Sequence, residues 1–409
     1  MWIVRAHAIF PTENLSPLFP LFPLFPLFLF PLPALSPLSS PLRYTSVRMA
    51  KKSTLRAGVI GAGAIAQNGH IPGFKNAGAE VIAICDTNLA RAKEVAEKHG
   101  IPHVFSDYNE LIALTDVDMV SIGLPNTLHA PVSIAALKAG KHVLCEKPMT
   151  VSVADAKKMI AAAEAAGRVL SVNQHMRFDT TAQAMRAIVK SKALGDVYLA
   201  ETKWVRQQGI PGYGGWFTNK DLAGAGALMD IGVHMLDMLL YLLDFPDVVR
   251  VKGMLSGELG KQAIGLGGWG ADIKSKGRFD VDDTAFAVLT LASGAQLRLL
   301  VTWAAMGPAE DRVTLYGKKG GLDRSDHYGS NPALKQYSFD KTAGKIVEST
   351  PDLEKFKFEG TAWMKAIGNF VDVVRGKGKL VVQPEQSLRV IKILEAIAKS
   401  AASGQEVKL

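Results

Sequence analysis

A glycine-rich turn between a predicted strand and a predicted helix constrains this chain more than any other feature. Residues 61–66 read GAGAIA, after an apolar run at 55–60 and before a stretch of helical composition at 64–77. This order is typical of a dinucleotide-binding turn, because glycines permit the tight turn and the approach of a pyrophosphate to the helix N-terminus. The small last residue lets the helix pack closely on the strand. The predicted cofactor contacts of the turn are Gly61, Gly63, Ala64, Ile65 and Ala66.

An aspartate ends the next predicted strand. Asp86 follows the apolar run 81–85 and lies 23 residues after Gly63, about where a carboxylate binds the ribose hydroxyls of a dinucleotide. A carboxylate there would repel a 2′-phosphate, so the sequence favours NAD over NADP. Arg91 is either a solvated helix residue or a phosphate clamp, and we expect the former.

Short apolar runs alternate with helical segments through the first half of the chain. This alternation predicts βαβ units, a parallel sheet and a Rossmann NAD-binding domain over residues 49–175. The predicted strands are 55–60, 81–85, 104–105, 119–122, 142–145 and 169–173. The predicted helices that follow the first one are 88–99, 107–115, 127–139, 153–166 and 180–192.

The pattern changes after about residue 195. Strands then follow one another with few helices between them, which predicts an antiparallel sheet and an α+β domain over residues 176–409. The predicted strands are 197–206, 248–256, 284–291, 295–302 and 312–316. Two closing helices, 361–375 and 384–401, are candidates to pack back on the Rossmann domain, and residues 320–350 receive no assignment.

The first 48 residues differ in composition from the rest. Residues 17–33 repeat Pro, Leu and Phe, and proline at every third position prevents the continuous helix that a membrane span needs. The segment also makes a poor signal peptide. We expect a low-complexity leader or a start codon assigned too early, with Met49 as the natural start, rather than an export signal. A cytoplasmic location without membrane contact is therefore expected.

Composition excludes several classes of protein. The chain is 48% hydrophobic and 21% charged, as in globular proteins, so disorder throughout is excluded. Two cysteines exclude a disulfide scaffold and a cysteine-rich zinc site, and no histidine cluster has zinc-like spacing. The net charge of +9 does not lie in one basic run, so no nucleic-acid partner is expected.

Two loops are predicted at the carboxyl ends of neighbouring strands, where open α/β sheets bind ligands. The first contains Pro125, Asn126 and His129, and the second contains Glu146 and Lys147. Separately, Asn126 reads as part of a helix cap and Lys147 as a surface lysine. Together, the five residues are predicted to line the nicotinamide end of the cofactor cleft.

A glycine-rich segment enters a helix that carries three polar residues on an otherwise apolar sequence. Asp230, His234 and Asp237 are spaced i, i+4, i+7, which places them on one helical face. A histidine in such a helix is more often a packed structural residue than a catalyst. The glycines at 224 and 226, which would let a ligand approach closely, and a carboxylate one turn away favour the catalytic interpretation.

With these motifs the sequence resembles the Gfo/Idh/MocA family of NAD(P)-dependent oxidoreductases, named for glucose–fructose oxidoreductase and inositol dehydrogenase. The resemblance spans about residues 55–400 and is carried by 61–66, Glu146-Lys147-Pro148 and 230–234. It implies a Rossmann domain followed by a large, mostly antiparallel open sheet through which such proteins form homodimers or tetramers. It also maps the family's catalytic trio onto Lys147, Asp230 and His234, although Ala225 departs from the usual run of three glycines.

Oxidation of a secondary alcohol needs a base with a pKa near neutrality, which suits His234 as general acid/base. Lys147 would stabilise negative charge on the reacting oxygen, and Asp230 would orient His234 or hold a substrate hydroxyl. No metal is needed.

Further residues are candidates for the substrate pocket. His175 and Arg177 either contact the substrate or form a packed ring and a domain-junction salt bridge. An aromatic, glycine-rich segment ahead of the catalytic helix either stacks on a sugar ring or packs in a core or interface. Its candidate residues are Trp204, Arg206, Tyr213 and Trp216, with Trp269 more remote.

The leading functional hypothesis is therefore an NAD-dependent oxidoreductase acting on a sugar, polyol or cyclitol. A redox-neutral glycoside hydrolase that retains NAD is an alternative, and it would release an aglycone without net NADH. A nucleotide-sensing protein without catalysis is a third, although the complete trio argues against it.

Overall fold

A computed structural model describes residues 54–270, 277–326 and 333–409 of the chain. The predicted leader, residues 1–48, lies outside these residues, and so does the interpretation of Met49 as the natural start.

The first half forms a six-stranded parallel sheet in the order β3-β2-β1-β4-β5-β6. Its order reverses between β1 and β4, and a doubly wound sheet binds dinucleotides at this kind of switch point. Most of its strand residues are buried, as expected for a sheet covered on both faces. The strands are β1 (Arg56–Ile60), β2 (Glu80–Cys85), β3 (His103–Phe105), β4 (Met119–Ile122), β5 (His142–Cys145) and β6 (Leu170–Val172).

Helices connect these strands, and capping residues mark where two of them begin and end. Asn88 and Ser152 each accept a backbone N–H at a helix start, and Gly100 and Gly167 end the same two helices in the left-handed conformation. The helices are α1 (Ile71–Asn76), α2 (Leu89–His99), α3 (Tyr108–Ala113), α4 (His129–Lys138), α5 (Val153–Ala166) and α6 (Thr180–Lys190).

The second half builds a nine-stranded sheet in the order β14-β13-β12-β11-β7-β10-β9-β8-β15. All neighbouring strands are antiparallel except β7 and β10. The strands are β7 (Val197–Val205), β8 (Val248–Ser256), β9 (Thr284–Leu291), β10 (Gln296–Thr302), β11 (Glu310–Gly317), β12 (Gly320–Asp326), β13 (Ala333–Asp340), β14 (Lys345–Ser349) and β15 (Val407–Lys408).

Strands β12, β13 and β14 occupy the region that received no sequence assignment. Strand β12 begins with two glycines, and β14 reads KIVES with four of its five residues exposed or charged. These strands lie at one end of the sheet, where burial on one face is weak. The apolar alternation that would reveal them is therefore missing from the sequence.

One face of this sheet is covered by helices. The helices α7 (Lys220–Ala223), α8 (Val233–Leu242) and α10 (Pro384–Ser403) belong to this half, and α8 and α10 contact strands β7 and β8. On the opposite face, alternate residues remain partly or fully exposed, among them Met254, Arg298 and Tyr316. The second sheet is therefore open on one side.

Both C-terminal helices pack back on the Rossmann domain: α10 contacts α5 and β6, and Glu395 of α10 accepts the backbone N–H of Val153 at 3.0 Å. Helix α9 (Ala362–Val374) contacts α1, and a Cβ added at Gly73 would lie 2.3 Å from Ile367 Cδ1. Arg375 donates hydrogen bonds to the carbonyls of Ala77 and Gly78. Helix α9 and Arg375 thus hold α1, the helix that follows the glycine turn.

One 23-residue stretch, Lys220–Leu242, is long and apolar enough by composition to cross a membrane. Its most apolar window is entirely buried against other described elements. The stretch includes α7 and α8 and lies in the core of the second domain.

Candidate active site

The glycine turn has the geometry that a phosphate-binding loop needs. Gly61 has a φ of +99°, and an added Cβ would meet the Gly123 carbonyl oxygen at 2.2 Å, so only glycine fits. A Cβ at Gly63 would meet no atom within 4 Å, which leaves open space beside the backbone. The predicted helix after the turn is interrupted: residues Ala66–His70 form a π-helical turn before α1.

Asp86 occupies the end of β2, next to this turn. Its carboxylate accepts hydrogen bonds from the backbone N–H of Ala62 at 2.9 Å and of Asn88 at 2.8 Å. Arg91 Nη2 donates to the same carboxylate at 2.9 Å, so the expectation that Arg91 is a solvated residue is wrong. Burial acts to raise the pKa of Asp86, but these donors hold it below its usual value.

The two strand-end loops are joined to each other by His129. Its Nδ1 lies 2.7 Å from the Pro148 carbonyl and its Nε2 lies 2.9 Å from the Leu124 carbonyl. His129 therefore bridges the two loops, and its predicted place beside the cofactor stays a prediction. Asn126 donates to the Ala223 carbonyl at 2.9 Å and ties the first loop to α7.

Glu146 is buried, and it organises the loop that carries Lys147. One carboxylate oxygen accepts from His70 Nε2 at 2.9 Å and from Asn173 Nδ2 at 2.7 Å. The other accepts the backbone N–H of Lys147 at 3.1 Å. Burial favours the neutral acid, but the His70 and Asn173 contacts lower the pKa of Glu146 to about 2. Glu146 thus supports the cleft from below, and no local sequence pattern marks His70 or Asn173 as its partners.

Lys147 and Asp230 form the polar centre of the site. Lys147 Nζ donates to the Asp230 carbonyl at 2.8 Å and to its Oδ1 at 2.9 Å. Trp303 Nε1, which is completely buried, donates to Oδ2 at 2.8 Å. Burial acts to raise the pKa of Asp230, but the charges of Lys147 and Arg206 hold it below its usual value.

His234 lies beside this pair with an unengaged ring. It is 5% exposed, its Nδ1 is buried, and no described residue forms a hydrogen bond with the ring. Burial, reinforced by the charge of Lys147, lowers its pKa well below 6.5, so the imidazole is neutral at pH 7. The expectation that Asp230 orients His234 is wrong, because the Asp230 carboxylate is engaged by Lys147 and Trp303.

The backbone that leads to His234 is held by a second carboxylate. Asp282 accepts the N–H groups of Gly226 at 2.7 Å and of Leu228 at 2.8 Å. A Cβ at Gly226 would lie 1.9 Å from the Asp282 carbonyl oxygen, which explains that glycine. Residues Leu228–Gly232 then make a π-helical turn, a feature that is frequent at functional sites.

Asp237 faces away from the reacting centre. Its carboxylate pairs with Arg177 in a buried, bidentate contact at 2.6 and 2.8 Å. Of the two interpretations of Arg177, the structure has the salt bridge and not the substrate contact. The expected shared face of Asp230, His234 and Asp237 is altered because the π turn changes the rotation per residue.

Aromatic rings surround His234. His175 contacts it edge-to-face at a centroid distance of 5.0 Å, and Trp363 of α9 lies 4.6 Å from His175. Trp204 lies 6.4 Å from His234, and Arg206 Cζ lies 4.5 Å over the Trp204 ring. Trp363 is not predicted from the sequence, because it lies in α9, far along the chain from the other site residues.

Two other predicted pocket residues differ in their surroundings. Tyr213 is 6% exposed and stacks on Phe279 at 6.0 Å, which is the core-packing alternative. Trp216 is partly exposed and stacks on Phe217 at 3.7 Å. Among the described residues, no group of three or more metal-ligating side chains is arranged to hold an ion.

The residues of the switch point fit a dinucleotide. The open space beside the Gly63 backbone leaves room for a pyrophosphate. Asp86 lies where the ribose hydroxyls of a dinucleotide would bind. The strand-end loops and the Lys147 region border the far end of the same crevice.

Residues 55–174 match the family described as "Oxidoreductase family, NAD-binding Rossmann fold", and residues 182–323 match the "GFO/IDH/MocA C-terminal domain". The D-glucoside 3-dehydrogenase of Escherichia coli (strain K12) is 30% identical over 362 residues, covering 87% of this chain and 98% of that protein. The chain belongs to the Gfo/Idh/MocA family of oxidoreductases. It is accordingly an NAD-binding oxidoreductase, as its motifs predicted.

Other family members share most of the chain or its fold. A putative UDP-kanosamine synthase oxidoreductase subunit of Amycolatopsis mediterranei (strain S699) is 31% identical over 68% of this chain and 77% of its own length. The crystal structure of aldose-aldose oxidoreductase from Caulobacter crescentus has a TM-score of 0.72 at 26% identity, covering 87% of this chain and all of that one. Levoglucosan dehydrogenase in complex with NADH has the same fold, with a TM-score of 0.74 at 24% identity over 87% and 99% of the two chains.

Proposed function

We propose that this protein is an NAD-dependent dehydrogenase that interconverts a secondary alcohol and a ketone on a sugar, polyol or cyclitol. The observation that carries the proposal is the Lys147–Asp230 pair beside a neutral, unengaged His234. A proton acceptor and a cation that can stabilise the reacting oxygen therefore lie close together at the end of the dinucleotide crevice.

His234 supplies the acid–base function. A neutral imidazole accepts the hydroxyl proton during oxidation and returns it during reduction. Its ring forms no hydrogen bond with a described residue, so it is available to a substrate hydroxyl. Bound NAD supplies the hydride acceptor.

Lys147 supplies the positive charge for the reacting oxygen. An ammonium group has three donor hydrogens, and Asp230 engages two of them through its carbonyl and Oδ1. The third remains for the substrate oxygen, on which negative charge develops as the proton leaves. Asp230 therefore acts by holding Lys147, and it is itself held by Trp303.

The names of the relatives support a carbohydrate substrate. They include a D-glucoside 3-dehydrogenase, a 1,5-anhydro-D-fructose reductase and an inositol 2-dehydrogenase. All three names are those of dehydrogenases or reductases of a carbohydrate or a cyclitol. Neither the hydrolase nor the sensor hypothesis gains an observation from the structure or from these relatives.

The proposal is tested by supplying purified protein with NAD and a panel of sugars, cyclitols and p-nitrophenyl glycosides. NADH absorbance and nitrophenol release are followed in the same samples. NADH formed with a sugar or cyclitol is the expected result. Nitrophenol release without net NADH would instead show the hydrolase, and NAD binding without either product would contradict catalysis on this class.

We also propose that the protein self-associates through the open face of the nine-stranded sheet. Four large apolar side chains on that face are exposed: Met254, Tyr316, Phe339 and Ile346. Phe339 and Ile346 are directly opposite each other on β13 and β14, whereas Met254 lies on β8, so exposed apolar side chains occur at both ends of the face. Light scattering should show a dimer or tetramer, and Val288→Glu in the centre of the face should lower the mass. A wild-type monomer at micromolar concentration would contradict this proposal.

A further inference from the structure

We propose that a row of side chains leading from His234 to the surface binds the second ring of a glycoside, so that the substrate is a glycoside rather than a free monosaccharide. We call this row the outer subsite, and its members are Trp204, Arg206, Trp216, Phe217 and Trp269. The inference rests on the proposed function, since the first ring is taken to react at His234.

The outer subsite is continuous. Trp204 lies 6.4 Å from His234, and Arg206 Cζ lies 4.5 Å from the Trp204 ring centre. The same Cζ lies 5.7 Å from the ring of Trp269, which meets Phe217 edge-to-face at 5.6 Å. Each member therefore contacts the next, and the row begins at the catalytic imidazole.

The row is buried at His234 and Arg206 and exposed at Trp269, whereas Trp204, Phe217 and Trp216 are half-buried. His234 is 5% exposed, Arg206 is 8% exposed and Trp269 is 43% exposed. A substrate with its reacting ring at His234 could extend along this direction towards solvent. A free monosaccharide would fill only the inner end and leave Trp269 uncovered.

Arg206 indicates that the ligand carries oxygen atoms at the middle of the row. Its Nε and Nη1 are buried and have no hydrogen-bond partner among the described residues. A buried charge without acceptors is costly, so these donors call for a ligand that supplies acceptors. Because Arg206 Cζ lies 4.5 Å from the Trp204 ring centre, a glycosidic or hydroxyl oxygen that accepts from these donors would lie close to that ring.

Trp269 is held in place by backbone hydrogen bonds. Gly212 N donates to the Trp269 carbonyl at 2.9 Å, and Gly267 N donates to the Ile210 carbonyl at 2.9 Å. A Cβ at Gly270 would lie 2.6 Å from Gly212 N, so these two backbone segments approach as closely as glycine allows. The exposed indole is therefore positioned by the fold, and indole faces stack well on planar rings.

The outer subsite is tested with the methyl and p-nitrophenyl glycosides of glucose, galactose and mannose, in both anomers, with NAD. For the sugar that is oxidised, the p-nitrophenyl glycoside should have a kcat/KM about tenfold above that of the methyl glycoside, the usual scale for one added apolar contact. Trp269→Ala should remove this preference, because it should lower kcat/KM for the p-nitrophenyl glycoside more than for the methyl glycoside. Tyr198→Ala, which truncates an exposed aromatic residue outside the row, is the matched control and should change neither value.

Equal kcat/KM for the two glycosides in the wild type, or a preference that survives in Trp269→Ala, would overturn the inference while leaving the dehydrogenase intact. If no sugar in any form yields NADH, the proposed function fails instead. Calorimetric binding of p-nitrophenyl glycosides to the NADH-loaded protein then decides the subsite separately. Binding that is lost in Trp269→Ala supports it, and binding that is absent or unchanged in the variant overturns it.

Discussion

Lys147 Nζ donates to Oδ1 of Asp230 at 2.9 Å, although 83 residues separate the two along the chain. Lys147 follows strand β5 of the Rossmann sheet, whereas Asp230 lies in the π-helical turn before α8. Each domain therefore contributes one half of the charged centre. The catalytic cation is fixed only when both domains are folded against each other.

Trp303 should support catalysis through Asp230 without touching the reacting atoms. Trp303→Phe keeps a buried aromatic ring but removes the Nε1 donor at 2.8 Å from Asp230 Oδ2. A buried hydrogen bond to a charged group is worth about 1.5–3 kcal/mol, so kcat should fall about tenfold or more. KM for NAD should stay the same. Steady-state kinetics check this, and an unchanged kcat would show that Asp230 does not need this donor.

The pH profile for alcohol oxidation should have its acidic limb below pH 6.5. Burial and the charge of Lys147 keep the pKa of His234 well below 6.5, and only the neutral ring accepts a proton. As pH falls through that lowered pKa, the base is protonated and kcat/KM declines. The measurement is kcat/KM from pH 4.5 to 8. A decline centred above pH 6.5 would mean that His234 is not the neutral base described above.

Stability should fall as the pH drops from about 6.5 towards 4. Burial lowers the pKa of His142 and of His175 to about 4, so the unfolded chain takes up their protons first. Each contributes stability that is present above pH 6.5 and is lost as pH falls through the folded pKa. Burial raises the pKa of Asp282 to about 6, so protonation of this group stabilises the folded protein as the pH falls. This single group opposes the effect of the two histidines.

Thermal unfolding at several pH values checks this expectation. His142→Gln should flatten the dependence of Tm on pH, whereas the same substitution at the exposed His103 should leave it as in the wild type. A wild-type Tm that is constant between pH 6.5 and 4 would contradict the assignment of these histidines as buried and neutral.

Asp86 and Arg91 should set the choice between NAD and NADP together. The ion pair places a cation beside the carboxylate, so the repulsion of a 2′-phosphate is weaker than Asp86 alone implies. Asp86→Ala should weaken NAD about tenfold, as expected for lost charge-assisted hydrogen bonds, and should raise the NADP/NAD ratio of kcat/KM. Arg91→Gln should lower that ratio. Glu97→Ala, in an exposed position on the same helix, is the control, and a ratio unmoved by Asp86→Ala would contradict the ribose assignment.

Local sequence signals predicted much of the fold. The strands at 119–122, 142–145, 248–256 and 284–291 have the predicted bounds. The first two are short, fully buried apolar runs, whereas 284–291 alternates buried and half-buried residues. The two π-helical turns were not predicted, since a π turn has the same composition as an α-helix. The strands in 320–349 were missed because their exposed face removes the alternation on which prediction depends.

Some of the site residues were likewise predicted from the sequence, and others were not. Motif spacing brought Lys147, Asp230 and His234 to attention, and the structure places them together. The residues that support the site come from distant elements. Trp303, just after β10, donates to Asp230, whereas Trp363 of α9 contacts His175 and His70 contacts Glu146. No local pattern marks such residues, because their roles depend on tertiary contacts alone.

Lys147 and His234 are the two residues to which the proposed oxidation of a carbohydrate alcohol assigns the chemistry. The most direct measurement is NADH formation by Lys147→Ala, His234→Ala and wild-type protein on the sugar that the wild type oxidises, with NADH binding titrated in each. Both variants should lose about 100-fold or more in kcat, as when a group that stabilises the transition state is removed, and should still bind NADH. Lys138→Ala, at an exposed lysine, should behave as the wild type. Full turnover by either catalytic variant would contradict the account.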